Sequence, residues 1–340
     1  MKPLILPPLG TLYGIITRTH ARLYERGTFH AATLERPVIS VGNITVGGTG
    51  KTPMVAWVAQ TLASAGKKVC ILTRGYKREN PKQRVLVSDG KTVFSKPAEA
   101  GDEPYLLASI LKGQAAVISD ANRFAAGQDA IKHLRTDCFV LDDGFQHFRL
   151  ARSLNIVMID ATDPWGGGRM VPVGRLREPL TGLKRADCFV LTRCEQVDSI
   201  ETLRSDLAKL SGDRPIFISR MHTTGVKPLD ETIHGPLETM SIAAFCAVGN
   251  PTSFFEQLRR TSYDVRMEKS FPDHHVYTQT DIDYLNLAAQ NSKAEALITT
   301  AKDAVKLPGL KFFLPCYFVE IEIEIENAAE LQRLILQATL

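Results

Sequence analysis

The chain contains the glycine-rich segment Gly42-Asn43-Ile44-Thr45-Val46-Gly47-Gly48-Thr49-Gly50-Lys51-Thr52-Pro53. An apolar run at residues 38–41 precedes this segment, and apolar residues at helical spacing follow it, so the pattern predicts a strand, a loop and a helix. Glycines let successive backbone N–H groups curl around an anion, and the helix N-terminus adds the positive end of its dipole. The segment therefore predicts a P-loop that binds nucleotide phosphates.

Individual positions of this loop have expected roles. Lys51 would reach the β- and γ-phosphates, and the hydroxyl of Thr52 would bind Mg²⁺. The usual first glycine, six residues before the lysine, is replaced by Thr45, and the Gly47-Gly48 pair supplies the flexibility instead. The alternative is a glycine-rich turn with an incidental lysine, which the flanking strand and helix disfavour. The residues expected to contact the nucleotide are Thr45, Val46, Gly47, Gly48, Thr49, Gly50, Lys51 and Thr52.

The composition is that of an ordinary globular protein. The 340 residues are 44% hydrophobic and 23% charged, and the length is sufficient for two domains. A net charge of +4 is too weak to indicate nucleic-acid binding. The six cysteines have neither metal-ligand nor redox-motif spacing, so we expect buried thiols in a reducing cytoplasm.

The N-terminal segment has a different character. Residues 3–17 carry no charge, but this run is too short to span a bilayer, and Pro7-Pro8 are expected to break it. Apolar residues have helical spacing from Leu9 onward. Basic residues repeat every fourth position on another side of this helix, at Arg18, Arg22 and Arg26. Such a pattern is typical of a helix in a membrane interface. The alternatives are a helix docked on the protein's own core and a secretory signal peptide, which would need a cleavage site that is not seen.

Apolar runs alternate with helical patterns along the rest of the chain. The predicted strands are residues 37–41, 68–73, 115–119, 138–142, 155–160, 188–192, 215–219, 243–248, 263–269, 296–300 and 316–325. The predicted helices are 52–65, 103–111, 123–134, 251–260, 280–290 and 327–337. Asp89-Gly90 predicts a hairpin between strands at 84–87 and 92–95. Alternation of this kind predicts an α/β fold, P-loop NTPase-like, with a mostly parallel sheet covered by helices.

We expect three parts along the chain. Residues 1–30 would form the N-terminal amphipathic membrane-interface helix, and residues 31–195 the P-loop core. Residues 196–340 would form a smaller C-terminal α/β part. In sheets of this class, ligands bind at the carboxyl ends of the strands.

An acidic pair ends one predicted strand. Asp142 and Asp143 directly follow the apolar run 139–141 and precede Gly144. Asp-Gly is also ordinary turn chemistry, so the pair alone is ambiguous. Beside a P-loop, however, carboxylates at a strand tip can hold the Mg²⁺ shell, so we expect the metal ligands to be Thr52, Asp142 and Asp143.

Two further motifs offer a proton acceptor. Asp102 lies before a predicted helix, where it could equally be a helix cap. His274 lies in the loop Phe271-Pro272-Asp273-His274-His275, whose adjacent histidines are poorly placed to chelate one ion. A carboxylate–imidazole pair acting as a base is the better hypothesis if the fold brings His274 to Asp102.

Arginines are expected to clamp phosphate. Arg177 and Glu178 lie in a loop rich in glycine and arginine, and Arg123 begins a predicted helix. Arginine suits phosphate recognition, although surface charge is the alternative for each position taken alone. Residues 299–303 end a strand and could touch a nucleotide base or position Mg²⁺.

These motifs, taken together and in order, resemble the tetraacyldisaccharide 4′-kinase family of lipid A biosynthesis. The matching motifs span residues 38–306: the segment 42–53, Arg74-Gly75-Tyr76, Gly101-Asp102-Glu103-Pro104, Asp142-Asp143-Gly144-Phe145-Gln146-His147, Gly174-Arg175-Leu176-Arg177-Glu178-Pro179, Phe271-Pro272-Asp273-His274-His275 and Lys302-Asp303-Ala304-Val305-Lys306. The N-terminal amphipathic stretch also looks like the family's membrane-seating helix.

The resemblance implies a reaction and a location. ATP, with Mg²⁺, would phosphorylate the 4′-hydroxyl of a tetraacyldisaccharide 1-phosphate to give lipid IVA. The enzyme would be peripheral on the cytoplasmic face of the bacterial inner membrane. Asp102 would be the base, supported by His274, and Lys51, Arg177 and Glu178 would complete the catalytic set. Arg123 would bind the nucleotide.

Two other classes of protein remain as alternatives. A membrane-associated P-loop ATPase without a small-molecule acceptor shares the loop and the amphipathic helix, but it has no use for Asp102 with His274 as a hydroxyl base. A non-catalytic nucleotide-binding module would not need the acidic pair at residues 142–143.

Overall fold

The computed structural model describes residues 6–230, 240–261 and 263–340. The start of the uncharged N-terminal run, residues 3–5, lies outside the described residues. The helices are α1 (Leu6–Glu25), α2 (Lys51–Ser64), α3 (Pro97–Ala100), α4 (Asp102–Ile110), α5 (Arg123–Leu134), α6 (Glu201–Ser211), α7 (Pro251–Arg259), α8 (Gln279–Asn291), α9 (Ala301–Ala304) and α10 (Ala328–Gln337). Short 3₁₀ turns occur at Gly166–Gly168, Leu180–Arg185 and Cys194–Gln196.

The described strands form one twelve-stranded sheet. They are β1 (Val38–Asn43), β2 (Val69–Thr73), β3 (Val85–Ser88), β4 (Ala115–Ser119), β5 (Cys138–Asp142), β6 (Leu154–Asp160), β7 (Cys188–Thr192), β8 (Ile216–Pro228), β9 (Ser241–Cys246), β10 (Asp264–Ser270), β11 (Ala296–Thr300) and β12 (Cys316–Ile325). Their order across the sheet is β10-β9-β11-β12-β8-β7-β6-β1-β5-β2-β4-β3. The predicted fold class, a mostly parallel sheet with helices, is confirmed.

Two strand pairs depart from the parallel arrangement. β3 is antiparallel to β4, and the long strands β8 and β12 are antiparallel to each other. Because β8 runs parallel to β7 and β12 runs parallel to β11, the strands on the two sides of the β8–β12 ladder have opposite directions. The sheet continues across the expected boundary at residue 195, and the division into parts stays a prediction.

The central strands are buried on both faces, as the continuous apolar runs predict. Every residue of β1, β2, β4, β5 and β7 is buried. β1 also requires a glycine, since a Cβ at Gly42 would lie 2.7 Å from the Cβ of Phe145. The close approach brings the segment after β5 against the start of the glycine-rich loop.

Three local predictions were wrong. Residues 92–95 do not form a strand: Val93 makes a single bridge to Ser88, and β3 pairs with β4 instead. β8 runs on to Pro228, because its partner β12 extends the ladder well beyond the apolar run that ends at Ser219. Helix α6 was missed, since only Leu203 and Leu207 are buried on it.

Helix α1 starts earlier than expected. Pro7-Pro8 were expected to break the segment, but they lie in its first turn. Proline is tolerated there because first-turn N–H groups have no partner within the helix. The helix leaves large apolar side chains exposed: Leu9, Leu12, Tyr13, Ile15 and Ile16. Among the described residues, no helix combines the length and apolar character needed to cross a bilayer.

Candidate active site

The glycine-rich loop joins β1 to α2 in the predicted strand–loop–helix arrangement. The Asn43 side-chain amide donates a hydrogen bond of 2.9 Å to Thr49 Oγ1 across the base of the loop. Gly50, immediately before the helix, has φ 77°, and a Cβ there would lie 2.5 Å from the Cε of Met221. The loop thus needs glycine at this position both for its backbone conformation and for its contact with β8.

Lys51 faces the acidic end of β5. Its Nζ lies 3.6 Å from Asp143 Oδ1, and Arg177 Nη1 donates to Asp143 Oδ2 at 2.6 Å. Burial alone would raise the pKa of the Asp143 carboxyl, but Lys51 and Arg177 outweigh burial, so the pKa lies below its ordinary value. The structure therefore brings Lys51, Asp143 and Arg177 together through two ion pairs.

Asp142 is more deeply buried than its neighbour. Thr73 Oγ1 donates to Asp142 Oδ2 at 2.9 Å. Burial, with the nearby carboxylates of Glu103 and Asp143, raises the pKa of Asp142 to about 7. Thr52 lines the same cleft from the first turn of α2. All three predicted metal ligands thus line the same cleft.

Asp102 and His274 meet, although 172 residues separate them in the sequence. Their Oδ2 and Nδ1 atoms are 3.2 Å apart, and their side chains are 15% and 9% exposed. Asp102 is the first residue of α4, and His274 occupies a loop after β10 with φ 63°. The Nζ of Lys306 lies 3.8 Å from the same Asp102 oxygen. The predicted carboxylate–imidazole pair is therefore present as a contact.

Lys302 of α9, two residues after the end of β11, contacts this pair. Its Nζ lies 2.9 Å from Glu103 Oε1 and 3.4 Å from His274 Nε2. Burial would lower its pKa, but the charges of Glu103 and Asp273 outweigh burial and raise it. The sequence singled out residues 299–303 for a nucleotide base or Mg²⁺, whereas the structure places Lys302 beside the Asp102–His274 pair.

Glu178 and Arg123 occupy different environments. Glu178 is buried, and its carboxylate accepts hydrogen bonds from Gln146 at 2.7 Å and from Arg185 at 2.6 Å. Arg123 is also buried, lines the cleft, and donates to the carbonyl of Ala121 at 3.2 Å. Burial lowers the pKa of Arg123, opposed by the charge of Asp142.

Several residues of the site were not singled out from the sequence. Thr73, Gln146, Arg185 and Lys306 all contact predicted residues. Gln146 and Lys306 lie inside quoted motifs, which is the signal that could have identified them. Arg185 belongs to no motif, so only the packing reveals it.

Many of these groups line one cleft of about 1620 Å³. Loops after β1, β2 and β5 line one side, and loops after β9, β10 and β11 line the other. The β8–β12 ladder contributes the wall between them, and Tyr13 of α1 reaches the rim. The glycine-rich loop and His274, which contacts Asp102, thus line the same space.

Comparisons with known proteins agree on one family. The family described as tetraacyldisaccharide-1-P 4′-kinase matches residues 3–340. The tetraacyldisaccharide 4′-kinase of Geobacter metallireducens is 40% identical over 335 residues, which cover 97% of this chain and 96% of the relative. That of Chlorobium phaeovibrioides is 36% identical, covering 98% and 97%.

A solved structure extends the agreement to three dimensions. The crystal structure of LpxK from Aquifex aeolicus in complex with ATP superposes with a TM-score of 0.79 at 33% identity, covering 98% of each chain. The match runs along the whole chain and includes both sides of the cleft. This chain therefore belongs to the tetraacyldisaccharide 4′-kinase family.

Proposed function

We propose that this protein transfers the γ-phosphate of ATP to the 4′-hydroxyl of tetraacyldisaccharide 1-phosphate, giving lipid IVA. The contact between Asp102 and His274 carries the proposal, because His274 lines the same cleft as the P-loop. A P-loop ATPase without an acceptor needs no hydroxyl base, whereas a sugar kinase does.

Asp102 acts as the general base. Its carboxylate accepts the proton of the acceptor hydroxyl as the new O–P bond forms and the bond to the β–γ bridging oxygen breaks, which releases ADP. His274, when its Nδ1 carries a proton, donates to Asp102 and fixes the orientation of the carboxylate. The positively charged Nζ of Lys306 lies 3.8 Å from the same Asp102 oxygen.

Cations on the P-loop side balance the charge of the transferred group. Phosphoryl transfer has a loose, anionic transition state, so positioning and positive charge dominate catalysis. Lys51, Arg177 and Arg123 all line the cleft. The Nε of Arg123 is buried and has no hydrogen-bond partner among the described residues, which leaves a donor for a phosphate. Glu178, buried behind this side, acts by holding its neighbours in place.

The donor set fits Mg²⁺. Hydroxyl and carboxylate oxygens are its preferred ligands, and Thr52, Asp142 and Asp143 supply them. The Oδ1 of Asp143 accepts no hydrogen bond from the described residues, and the Nζ of Lys51 lies 3.6 Å from it. When bound, Mg²⁺ would neutralise charge on the β- and γ-phosphates.

We place the protein on the cytoplasmic face of the inner membrane, where its lipid acceptor lies. Leu9, Leu12 and Ile16 are 46–56% exposed, which argues against burial of this apolar face in the protein's own core. Exposed arginines border them, at Arg18, Arg22 and Arg26. Apolar burial and attraction to anionic lipid would together hold α1 at the interface.

An assay of the purified protein tests the transfer. With ATP, Mg²⁺ and tetraacyldisaccharide 1-phosphate in detergent micelles, we expect a bisphosphorylated lipid and one ADP for each product. ADP release without phosphorylated lipid would contradict the proposal and favour the ATPase alternative.

Vesicle co-sedimentation tests the membrane seat. Replacing Arg18, Arg22 and Arg26 with Gln should weaken binding to anionic vesicles by roughly two orders of magnitude, at about 1 kcal/mol for each residue. The control replaces Lys82, Lys91 and Lys112, which are exposed elsewhere, with Gln. Equal losses in both triple variants would show that net charge, not α1, governs binding.

A further inference from the structure

The C-terminal half of α1 docks on an aromatic ring beside the active site. The ring of Tyr24 stacks on Phe148, with centroids 5.5 Å apart and planes 22° apart, and His20 meets the same ring edge-on at 5.4 Å. Phe148 lies five residues after Asp143 and is 9% exposed. The helix is thereby fixed to the segment that follows the acidic end of β5.

The other end of α1 contacts the arginine-rich loop through glycines. A Cβ at Gly10 would lie 3.1 Å from Val173, and one at Gly14 would lie 3.2 Å from Met170. The exposed leucines and isoleucines are on another part of the helix surface. Helix α1 therefore touches both segments that surround Arg177, independently of any membrane contact.

Arg185 lies against Phe148, beside the α1 contact. Its guanidinium carbon is 4.6 Å from the centroids of both Phe148 and Phe145, and its Nη2 donates to Glu178 Oε2 at 2.6 Å. The Nε and Nη1 atoms are buried without a hydrogen-bond partner among the described residues. One carboxylate and two ring faces therefore set the orientation of this cation.

Glu178 connects Arg185 to the phosphate side of the cleft through hydrogen bonds to Arg185 and Gln146. Gln146 Nε2 donates to Glu178 Oε1 at 2.7 Å and to the Asn43 carbonyl at 2.8 Å, at the start of the P-loop. The adjacent Arg177 pairs with Asp143, and its backbone N–H donates to the Ile44 carbonyl at 2.8 Å. A displaced Glu178 would move both the loop and Arg177.

We propose that Phe148 is a positioning residue for phosphate transfer. Its ring, held between Tyr24 of α1 and Arg185, keeps the Arg185–Glu178 pair in place and thereby aligns Arg177 and the P-loop. It touches neither nucleotide nor acceptor on this account, and acts through Arg185. The inference rests on the proposed kinase activity. If Phe148 has this role, helix α1 both binds the membrane surface and helps to hold the active site in place.

The test compares Phe148→Leu, which loses the ring, with Phe148→Tyr, which keeps it. The matched control is Phe29→Leu, because Phe29 contacts Tyr24 at 5.5 Å and also His20, and the rings it meets do not include Phe148. In micelles we measure nucleotide-binding stoichiometry, ATP affinity and turnover per bound nucleotide. These readouts separate misplacement from a loss of folded protein.

We expect Phe148→Leu to bind one nucleotide per chain but to turn over about 10-fold more slowly per site, since small misplacements of catalytic groups are costly. Phe148→Tyr and Phe29→Leu should stay within about two-fold of wild type. A Phe148→Leu variant with unchanged turnover per site, or with only a reduced stoichiometry, would overturn the proposal.

A second variant tests the same proposal if Phe148→Leu does not fold. Tyr24→Leu removes the outer ring from a half-buried position and should slow turnover in the same direction, and normal turnover per site would again overturn the proposal. If wild type itself makes no phosphorylated lipid, the kinase assignment fails separately. ATP affinity then still reports the alignment of the loop, which Phe148→Leu should weaken and Phe29→Leu should not.

Discussion

The phosphate side and the base side of the cleft are assembled differently. On the phosphate side, the P-loop with Lys51 comes from one strand–loop–helix unit, and Asp143 directly follows the adjacent strand β5. On the base side, Asp102 depends on a histidine 172 residues away, across the β8–β12 ladder. The P-loop itself is fixed by local backbone geometry, whereas the contact of Asp102 with His274 exists only because the two parts of the sheet meet.

The difference also concerns charge. Asp143 is flanked by two cations of its own side of the sheet, Lys51 and Arg177. Asp102 receives both of its nitrogen contacts, from the imidazole of His274 and the ammonium of Lys306, from the other side. Phosphate binding should thus survive changes that separate the two sides, while base catalysis should not.

The largest expected effect is on the phosphate side. Lys51→Ala should lower turnover by on the order of 10²-fold or more, the range for loss of one preorganised electrostatic contact. The thermal unfolding temperature should change little, because Lys51 is at the cleft and its ion pair with Asp143 is partly exposed. Lys91→Ala, an exposed lysine in a turn, is the control. Near-normal turnover in a folded Lys51→Ala protein would show that this loop does not contribute to phosphate transfer.

The base side should respond as a unit. Asp102→Ala and His274→Ala should each reduce turnover by about 10²-fold, typical of a lost general base, and the double variant should be little worse than the poorer single one. His275→Ala is a close control, because its Nε2 contacts Asp281 at 3.1 Å instead. Losses that multiply in the double variant would show that the two residues act independently.

A smaller effect should distinguish Asp142, the last residue of β5, from Asp143, which follows it. Asp142→Asn and Asp143→Asn should raise the Mg²⁺ concentration for half-maximal turnover, by about 10-fold for Asp143, because each removes charge from the expected ligand set. Asp213→Asn, at an exposed position, controls for general charge. Unchanged Mg²⁺ titrations for both variants would show that neither aspartate is a metal ligand.

The smallest effect concerns acid stability. Burial, with Arg123 and other arginines, lowers the pKa of His147 to about 3. Between about pH 6.5 and 3 the unfolded chain therefore binds a proton there that the folded chain does not, so stability falls as the pH falls. His147→Gln removes this dependence and should lower the midpoint of acid unfolding by about half a pH unit. A midpoint of acid unfolding equal to that of wild type would contradict the lowered pKa of His147.

Much of the fold could be predicted from the sequence. The predicted limits of β4, β5, β7, β11, β12 and α5 agree with the structure, because continuous apolar runs and helical periodicity both report burial. The prediction was wrong where a partner far along the chain decides the outcome. β8 is longer than predicted because it pairs with β12. β3 forms its ladder with β4 and not with residues 92–95.

The sequence by itself determined the P-loop, since its glycines, lysine and threonine are consecutive and their conformation is local. It also identified Asp102 and His274 as candidates through their motifs. Only the tertiary structure decided that they touch, that Lys302 and Lys306 flank them, and that Glu178 points to Arg185 in the interior. Contacts between distant segments depend on how the strands pair and how the side chains pack. The pattern of residues along the sequence does not specify either.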